Sequence, residues 1–260
     1  HVRLGIPVSV IEASLVMAQD DSELVAMLKI QLEADGVTFI EGVSVASVRQ
    51  NQPRDITLTL TNGATIDASH LLIASGRRPF IDGLMLSAAG VKFDTNGIVT
   101  DRRLRTSNKR VFAIGDVTGR HQFTHIASYH ASICLRNILF KYPAKIDETA
   151  VPWVTFCDPE LAQVGLTHEA AVNCWGRAKV TVTKWDLTDN DRARVDQRTK
   201  GMVKVVIHKN GRILGVSILA PMAGEIIQPW ILAIANRQKI ASLATMIAPY
   251  PTYGEANKSA

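Results

Sequence analysis

Apolar positions recur along the chain with two periods, and elements end where one period gives way to the other. In "DDSELVAMLKIQLEADGV" (20–37), Leu24, Leu28 and Leu32 fall four apart and share one face of a helix. Asp21 or Ser22 can cap its start, and Gly36 can stop it. The flanking runs "IPVSVIE" (6–12) and "VTFIEG" (37–42) predict strands, with Gly5 as the left-handed residue closing an earlier helical turn. Strand, helix, strand is the crossover unit of a parallel sheet. "ITLTL" (56–60) then alternates apolar with polar, and Asn62-Gly63 behind it predicts a tight hairpin.

Two runs, "LLIASGRRP" (71–79) and "RVFAIGD" (110–116), predict buried strands, separated by a looser stretch with two turn signals. "THIASYHASICLRNILF" (124–140) predicts a helix with Thr124 at its cap. After Pro143 come the strand patterns "VPWVTF" (151–156), "KVTVTKW" (179–185), "GMVKVVIH" (201–208) and "RILGVSILA" (212–220). Lys209-Asn210-Gly211 joins the last two as a hairpin. Helices over about 223–236 and 242–247 close the chain. The pattern predicts an α/β first part and an α+β tail, an antiparallel sheet with helices on one face.

Composition narrows the classes. The 260 residues, 47% hydrophobic and 20% charged, suit about two globular domains. No apolar run approaches the ~18 residues of a membrane span, and residues 1–10 lack a leader pattern, so a cytoplasmic protein with no membrane partner is expected. The net charge of +5 is scattered, which argues against a nucleic-acid groove. Cys134, Cys157 and Cys174 are odd in number and widely spaced, so reduced, buried thiols are expected rather than disulfides or a metal site.

Two acids could carry chemistry. Glu12 ends a strand, where a dinucleotide-binding unit places a carboxylate for ribose hydroxyls about 20 residues beyond a glycine-rich turn. No G-x-G-x-x-G occurs in the chain, so Glu12 is equally readable as a structural strand end. No Arg follows it closely, which favours NAD over NADP. Asp116 follows Gly115 directly and reads either as an Asx-turn or as a ligand acceptor. His125 and His130 read as packing or solvent-facing residues.

In order, "LLIASGRRP", "GLMLSAAGV", "VFAIGDV" and "VPWVTFCDPELAQVGLT" resemble the flavin-dependent pyridine nucleotide–disulfide oxidoreductases. "DNDRAR", "GMVKVVI" and "GRILGVSILAPMAGE" look most like the mercuric-reductase-like branch. The resemblance implies partial Rossmann-like segments followed by an α+β dimerisation domain. Residues 1–76 would belong to the NAD(P)-binding domain, 77–149 to the returning FAD-binding domain, and 150–260 to the dimerisation domain. The family's glycine-rich loops and redox cysteine pair would precede residue 1. FAD and NAD(P) are implied for the complete protein, with none bound by this chain alone.

The resemblance also implies roles. Asp116 would accept a flavin ribityl hydroxyl, with Gly115 admitting the ligand and Gly76 also at the cofactor. The helix starting at Thr124 would point at the flavin pyrimidine edge. Tyr250 stands where many relatives have a catalytic His, and Glu255 keeps the place of the Glu that orients it. Tyrosine, with a pKa of about 10, is a poor base at neutral pH. The chain ends "EANKSA" without a cysteine pair, so mercury reduction does not follow. A bland alternative makes Tyr250 an interface aromatic. The implied activity is hydride transfer from NAD(P)H through FAD to a disulfide or other acceptor. The alternative is a non-catalytic module that only self-associates. A homodimer through residues 150–260 is expected, with Ile227, Trp230, Ile231 and Ile234 available for burial.

Overall fold

Two parallel strands open the chain. β1 (Val8–Glu12) and β2 (Val37–Glu41) pair in register, Val8 beside Val37 and Glu12 beside Glu41. α1 (Ser22–Ala34) connects them. Asp21 caps it, accepting the Glu23 and Leu24 amides at 3.2 and 3.4 Å. Gly5, at φ 79°, closes a short 3-10 turn as its position predicts. β3 (Val45–Gln52), β4 (Asp55–Leu60) and β5 (Thr65–Ala68) form an antiparallel sheet in that order. Asn62-Gly63 makes the β4–β5 turn, with the Asn62 side chain accepting the Ala64 amide. β3 is exposed along its whole length, and no alternation in "VASVRQNQ" announces it.

This computed structural model describes residues 1–260, in two compact units: residues 1–71 with 149–260, and residues 72–148. In the smaller unit, β6 (Phe93–Asp94) and β7 (Gly97–Ile98) make a short hairpin, and α2 (Thr124–Ile138) is the main helix. Leu104, Ile133, Cys134, Ala144 and Ile146 form one core cluster; Val91, Ile98 and Ala113 form another. Neither buried strand expected here is present. The 71–79 run pairs with nothing, and Leu72 and Ile73 are 82% and 76% exposed. The 110–116 run makes a single bridge, Phe112 to Arg105. A strand needs a neighbour's amides and carbonyls along its length; none lies beside the first run, and only residues 104–106 meet the second. The α2 cap is Phe123, so Thr124 is the first helical residue rather than the cap.

The larger unit is built on a five-stranded antiparallel sheet. β8 (Pro152–Thr155), β9 (Glu160–Gly165), β10 (Val180–Asp186), β11 (Met202–His208) and β12 (Ile213–Ala220) lie in the order β10-β11-β12-β9-β8. Around it are α3 (His168–Trp175), α4 (Asp191–Val195), α5 (Ala223–Ile226), α6 (Gln228–Ala235), α7 (Ile240–Ala244) and α8 (Ala256–Ser259). The expected 223–236 helix breaks into α5 and α6 at Ile227, with Pro229 in the first turn of α6, where its missing N–H is harmless.

Helices cover both faces of this sheet, not one. On one face, Ile227, Trp230 and Ile234 pack on Val203, Val205, Val216 and Ile218. The Trp230 indole N–H donates to Asn257 Oδ1 at 2.6 Å. On the other, Leu24 and Leu28 of α1 pack on Leu161 and Leu219, and Ala171 of α3 on Val206 and Leu214. Every residue of β12 is consequently buried, as in a strand covered on both sides. Lys204 points to the α1 side. The residue is only 4% exposed, and its ammonium lies 2.8 Å from Asp21 and 2.9 Å from Glu23.

The three cysteines are free; Cys134 is buried and Cys157 half-buried, but Cys174 is exposed, contrary to expectation. Burial holds the Cys134 and Cys157 thiols above their ordinary pKa. No helix is long and apolar enough to cross a membrane.

Candidate functional site

Gly115–Thr118 form a single 3-10 turn after the extended residue Ile114. Three contacts fix its backbone. The Gly115 amide donates to His130 Nδ1 at 3.1 Å, and its carbonyl accepts the Thr118 hydroxyl at 2.8 Å. Gly119, at φ +65°, closes the turn so near the β6–β7 hairpin that a Cβ would sit 1.6 Å from the Asn96 carbonyl oxygen. Gly115 itself has φ +67°, and a Cβ there would lie 3.0 Å from Ala127 Cβ. The packing of α2 therefore already demands this glycine, apart from any ligand.

Asp116 behaves differently from its neighbours. It is exposed, and its carboxylate accepts no hydrogen bond. The Asx-turn alternative is not the geometry adopted: the rigid turn leaves a free acceptor at the surface. Nearby, α2 begins without a side-chain cap. Its first turn presents the positive end of the helix dipole at exposed Thr124.

Behind the turn stands His130, fully buried. Since Nδ1 accepts the Gly115 amide, the ring proton sits on Nε2, 3.9 Å from Glu148 Oε1. Neither of those two atoms has a hydrogen-bond partner. Arg120 holds the same carboxylate at 2.8 Å. Burial pulls the imidazole pKa below its ordinary value; Glu148 opposes this, and Arg120 and His121 add to it. The ring is thus a neutral acceptor at pH 7. The sequence offered no signal for this beyond a helical position facing inward.

Gly76, at φ +114°, has open space around it. Its neighbour Arg77 donates to the Gln122 carbonyl at 2.9 Å, tying this segment to the approach to α2. In the larger unit, Glu12 ends β1 half-buried, and its Oε1 accepts the Ser14 amide and hydroxyl at 3.0 and 3.1 Å. Its register partner Glu41 is engaged by Lys29 and by the Val16 amide. These bonds to Glu41, the Lys29 ammonium foremost, lower its pKa.

Tyr250 is 70% exposed, and its hydroxyl donates to Asp191 Oδ2 at 3.0 Å. That bond, with the Asp191 charge, pushes the phenol pKa upward and keeps the proton on oxygen. The Tyr250 hydroxyl is therefore a hydrogen-bond donor held by Asp191. Glu255 caps α8 without a side-chain bond and does not reach the Tyr250 hydroxyl. Three residues along, Tyr253 donates to Asp196 at 3.1 Å, and Arg192 binds Asp196 at 3.0 Å. Helix α4 thus anchors both tyrosines of "PYPTYGE".

Residues 2–131 match the family model for pyridine nucleotide-disulphide oxidoreductase, and residues 151–260 match the model for that family's dimerisation domain. The chain belongs to the pyridine nucleotide-disulphide oxidoreductases. It is 36% identical to a mercuric reductase of Streptomyces lividans, covering 99% of this chain and 55% of that protein. It is 32% identical to a dihydrolipoyl dehydrogenase of Geobacillus stearothermophilus, covering 98% and 55%. Among solved structures it resembles the HOCl-induced flavoprotein disulfide reductase RclA of Escherichia coli, with TM-score 0.90 at 28% identity, over 97% of this chain and 58% of that one. The chain thus spans little more than half the length of these relatives. Family membership accounts for the antiparallel sheet of residues 152–220.

Proposed function

We propose that the chain is the C-terminal part of a mercuric-reductase-like, FAD-dependent oxidoreductase. In the complete protein, hydride would pass from NAD(P)H through flavin to a disulfide or another acceptor. The observation that carries this reading is Asp116, an unpartnered carboxylate on a turn fixed by His130, Thr118 and Gly119. A rigid free acceptor suits a ligand hydroxyl, because nothing local must be broken to bind it. The fit to FAD is good here: Asp116 would hold the ribityl chain, Gly115 and Gly76 would line the approach, and the α2 start at Thr124 would face the ring. Bound flavin would supply the redox chemistry. The chain's own residues would orient it and favour negative charge beside α2. Glu12 would take a ribose hydroxyl of NAD in preference to NADP.

The exposed, unpaired "LLIAS" run supports a larger fold, since Leu72 and Ile73 have the character of a strand covered on both faces. We place the domain limits at 1–76, 77–149 and 150–260, in a cytoplasmic homodimer joined through the last segment. Ile227, Trp230 and Ile234 are used by the chain's own core. Leu232, Met222, Ile247 and Tyr250 remain for a partner copy. Tyr250 and Glu255 would stand at the acceptor side, with the Tyr250 hydroxyl as a hydrogen-bond donor.

Extending the chain with the residues encoded before His1 and purifying it tests the reading. Flavin absorbance at about 450 nm is expected, with loss of tenfold or more in flavin affinity for Asp116→Ala. Unchanged affinity in that variant defeats the role of Asp116. The 260-residue chain alone is expected to be colourless. A second reading, a self-associating module without catalysis, is favoured by the lack of any G-x-G-x-x-G or C-x-x-x-x-C in the sequence. It requires that the extended chain also lack flavin while still sedimenting as a dimer.

A further inference from the structure

In the smaller unit, the turn from Asp101 to Arg105 uses up its only acid. The Asp101 carboxylate accepts the Arg103 and Arg105 amides at 2.8 and 3.0 Å, and the Arg105 guanidinium through Nε at 2.9 Å and Nη2 at 2.8 Å. Fully buried Leu104 anchors the turn from below. A second segment is bound alongside. The Ile146 amide donates to the Arg102 carbonyl at 2.8 Å, and Arg102 Nη2 donates to the Ile146 carbonyl at 3.0 Å. This exchange brings Lys145 beside the turn.

The result is a hollow of 380 Å³ lined by Asp101, Arg102, Arg103, Arg105 and Lys145. Its lining residues carry four cations and one carboxylate, and Asp101 and Arg105 pair with each other, which leaves Arg102, Arg103 and Lys145 without an acid. Neither Arg103 nor Lys145 side chain makes an ion pair or hydrogen bond, and Arg102 meets a carbonyl rather than an acid. Like charges fixed around one hollow repel unless something neutralises them.

We propose that this hollow binds a small multivalent oxyanion of the diphosphate class. Arginine forks bind phosphate oxygens two at a time, and lysine adds a compact point charge. The volume lies at the low end of the roughly 300–1,000 Å³ of ligand pockets, enough for linked phosphates. No aromatic side chain lines the hollow to stack a base, so the phosphates are the part recognised. This inference is independent of the flavin reading.

Calorimetric titration of the 260-residue chain with inorganic pyrophosphate, at about 100 mM salt, tests it. Saturable one-to-one binding is expected, with orthophosphate about tenfold weaker. The pair Arg103→Ala and Lys145→Ala should weaken pyrophosphate by roughly tenfold or more. The pair Lys92→Ala and Lys109→Ala, exposed cations outside the hollow, should change it by less than about twofold. Lys145→Gln alone keeps the test readable should the first pair disturb the turn; it should weaken binding at least about threefold. No saturable binding, equal affinity for orthophosphate, unchanged binding in Lys145→Gln, or equal losses in both pairs would each overturn the proposal.

Discussion

Asp21→Asn separates two jobs that one carboxylate performs in the larger unit. Asp21 caps α1, and it also neutralises Lys204, which lies on β11 far along the chain and is almost fully buried. Asparagine keeps the cap, because its side-chain oxygen still accepts the Glu23 and Leu24 amides. It removes the charge. Breaking a buried ion pair costs about 3–5 kcal/mol, because the remaining charge stays out of water. Glu23 is still 2.9 Å from the ammonium and partly solvated, so about 2 kcal/mol is expected here. Asp21→Ala loses the cap as well and should cost about 3 kcal/mol.

Urea unfolding followed by tryptophan fluorescence reads this directly, with Trp153 hydrogen-bonded to neighbouring Asp20. With a slope of about 2 kcal/mol/M, the Asp21→Asn midpoint should fall by about 1 M. Adding Lys204→Met removes the stranded ammonium and should recover most of the loss. A midpoint within about 0.2 M of the parent, or no recovery in the double variant, would refute the argument. The pH window follows from the shifts. Burial pulls the Lys204 pKa down, but the Asp21 and Glu23 bonds outweigh it and raise it above 10.5. The stabilisation is thus complete below 10.5 and lost as pH rises beyond it. Bonds from Lys184 and Lys204 lower the Glu23 pKa below 4.5, so its share is lost as pH falls through that region.

Two further outcomes test the turn around Asp116. Gly119→Ala should destabilise by about 3 kcal/mol, since it adds a left-handed backbone penalty to a collision with the Asn96 carbonyl; a melting point within about 2 °C of the parent would contradict the packing. His130, its pKa held below 6.5 by burial, is neutral in the native state, so stability should be full above pH 6.5 and decline as pH falls toward the native pKa. His130→Gln should flatten that part of the urea midpoint profile, and an unchanged profile would assign the decline to other groups.

Local rules reached the elements that local chemistry builds. The fourfold spacing of Leu24, Leu28 and Leu32 with Asp21 ahead of it made α1 legible, and Asn62-Gly63 and Lys209-Asn210-Gly211 made their hairpins so. The same spacing shows that α1 has a face to bury, but not that the face meets Leu161 and Leu219. One clue to that was present: "ILGVSILA" does not alternate, and an antiparallel strand without a polar face implies cover on both sides. Reading helices onto one face overlooked it. The opposite error occurs at 71–79 and 110–116, where apolar composition predicts buried strands, yet no strand forms and residues 71–78 lie exposed. Composition specifies what a segment can tolerate, whereas a ladder needs a second backbone, and pairing is a property of two segments. Asp116 illustrates the same limit in the site. Gly-Asp permits both a capping turn and a free acceptor, and the choice is made by His130, Thr118 and the 94–97 hairpin, which hold the turn without using its carboxylate.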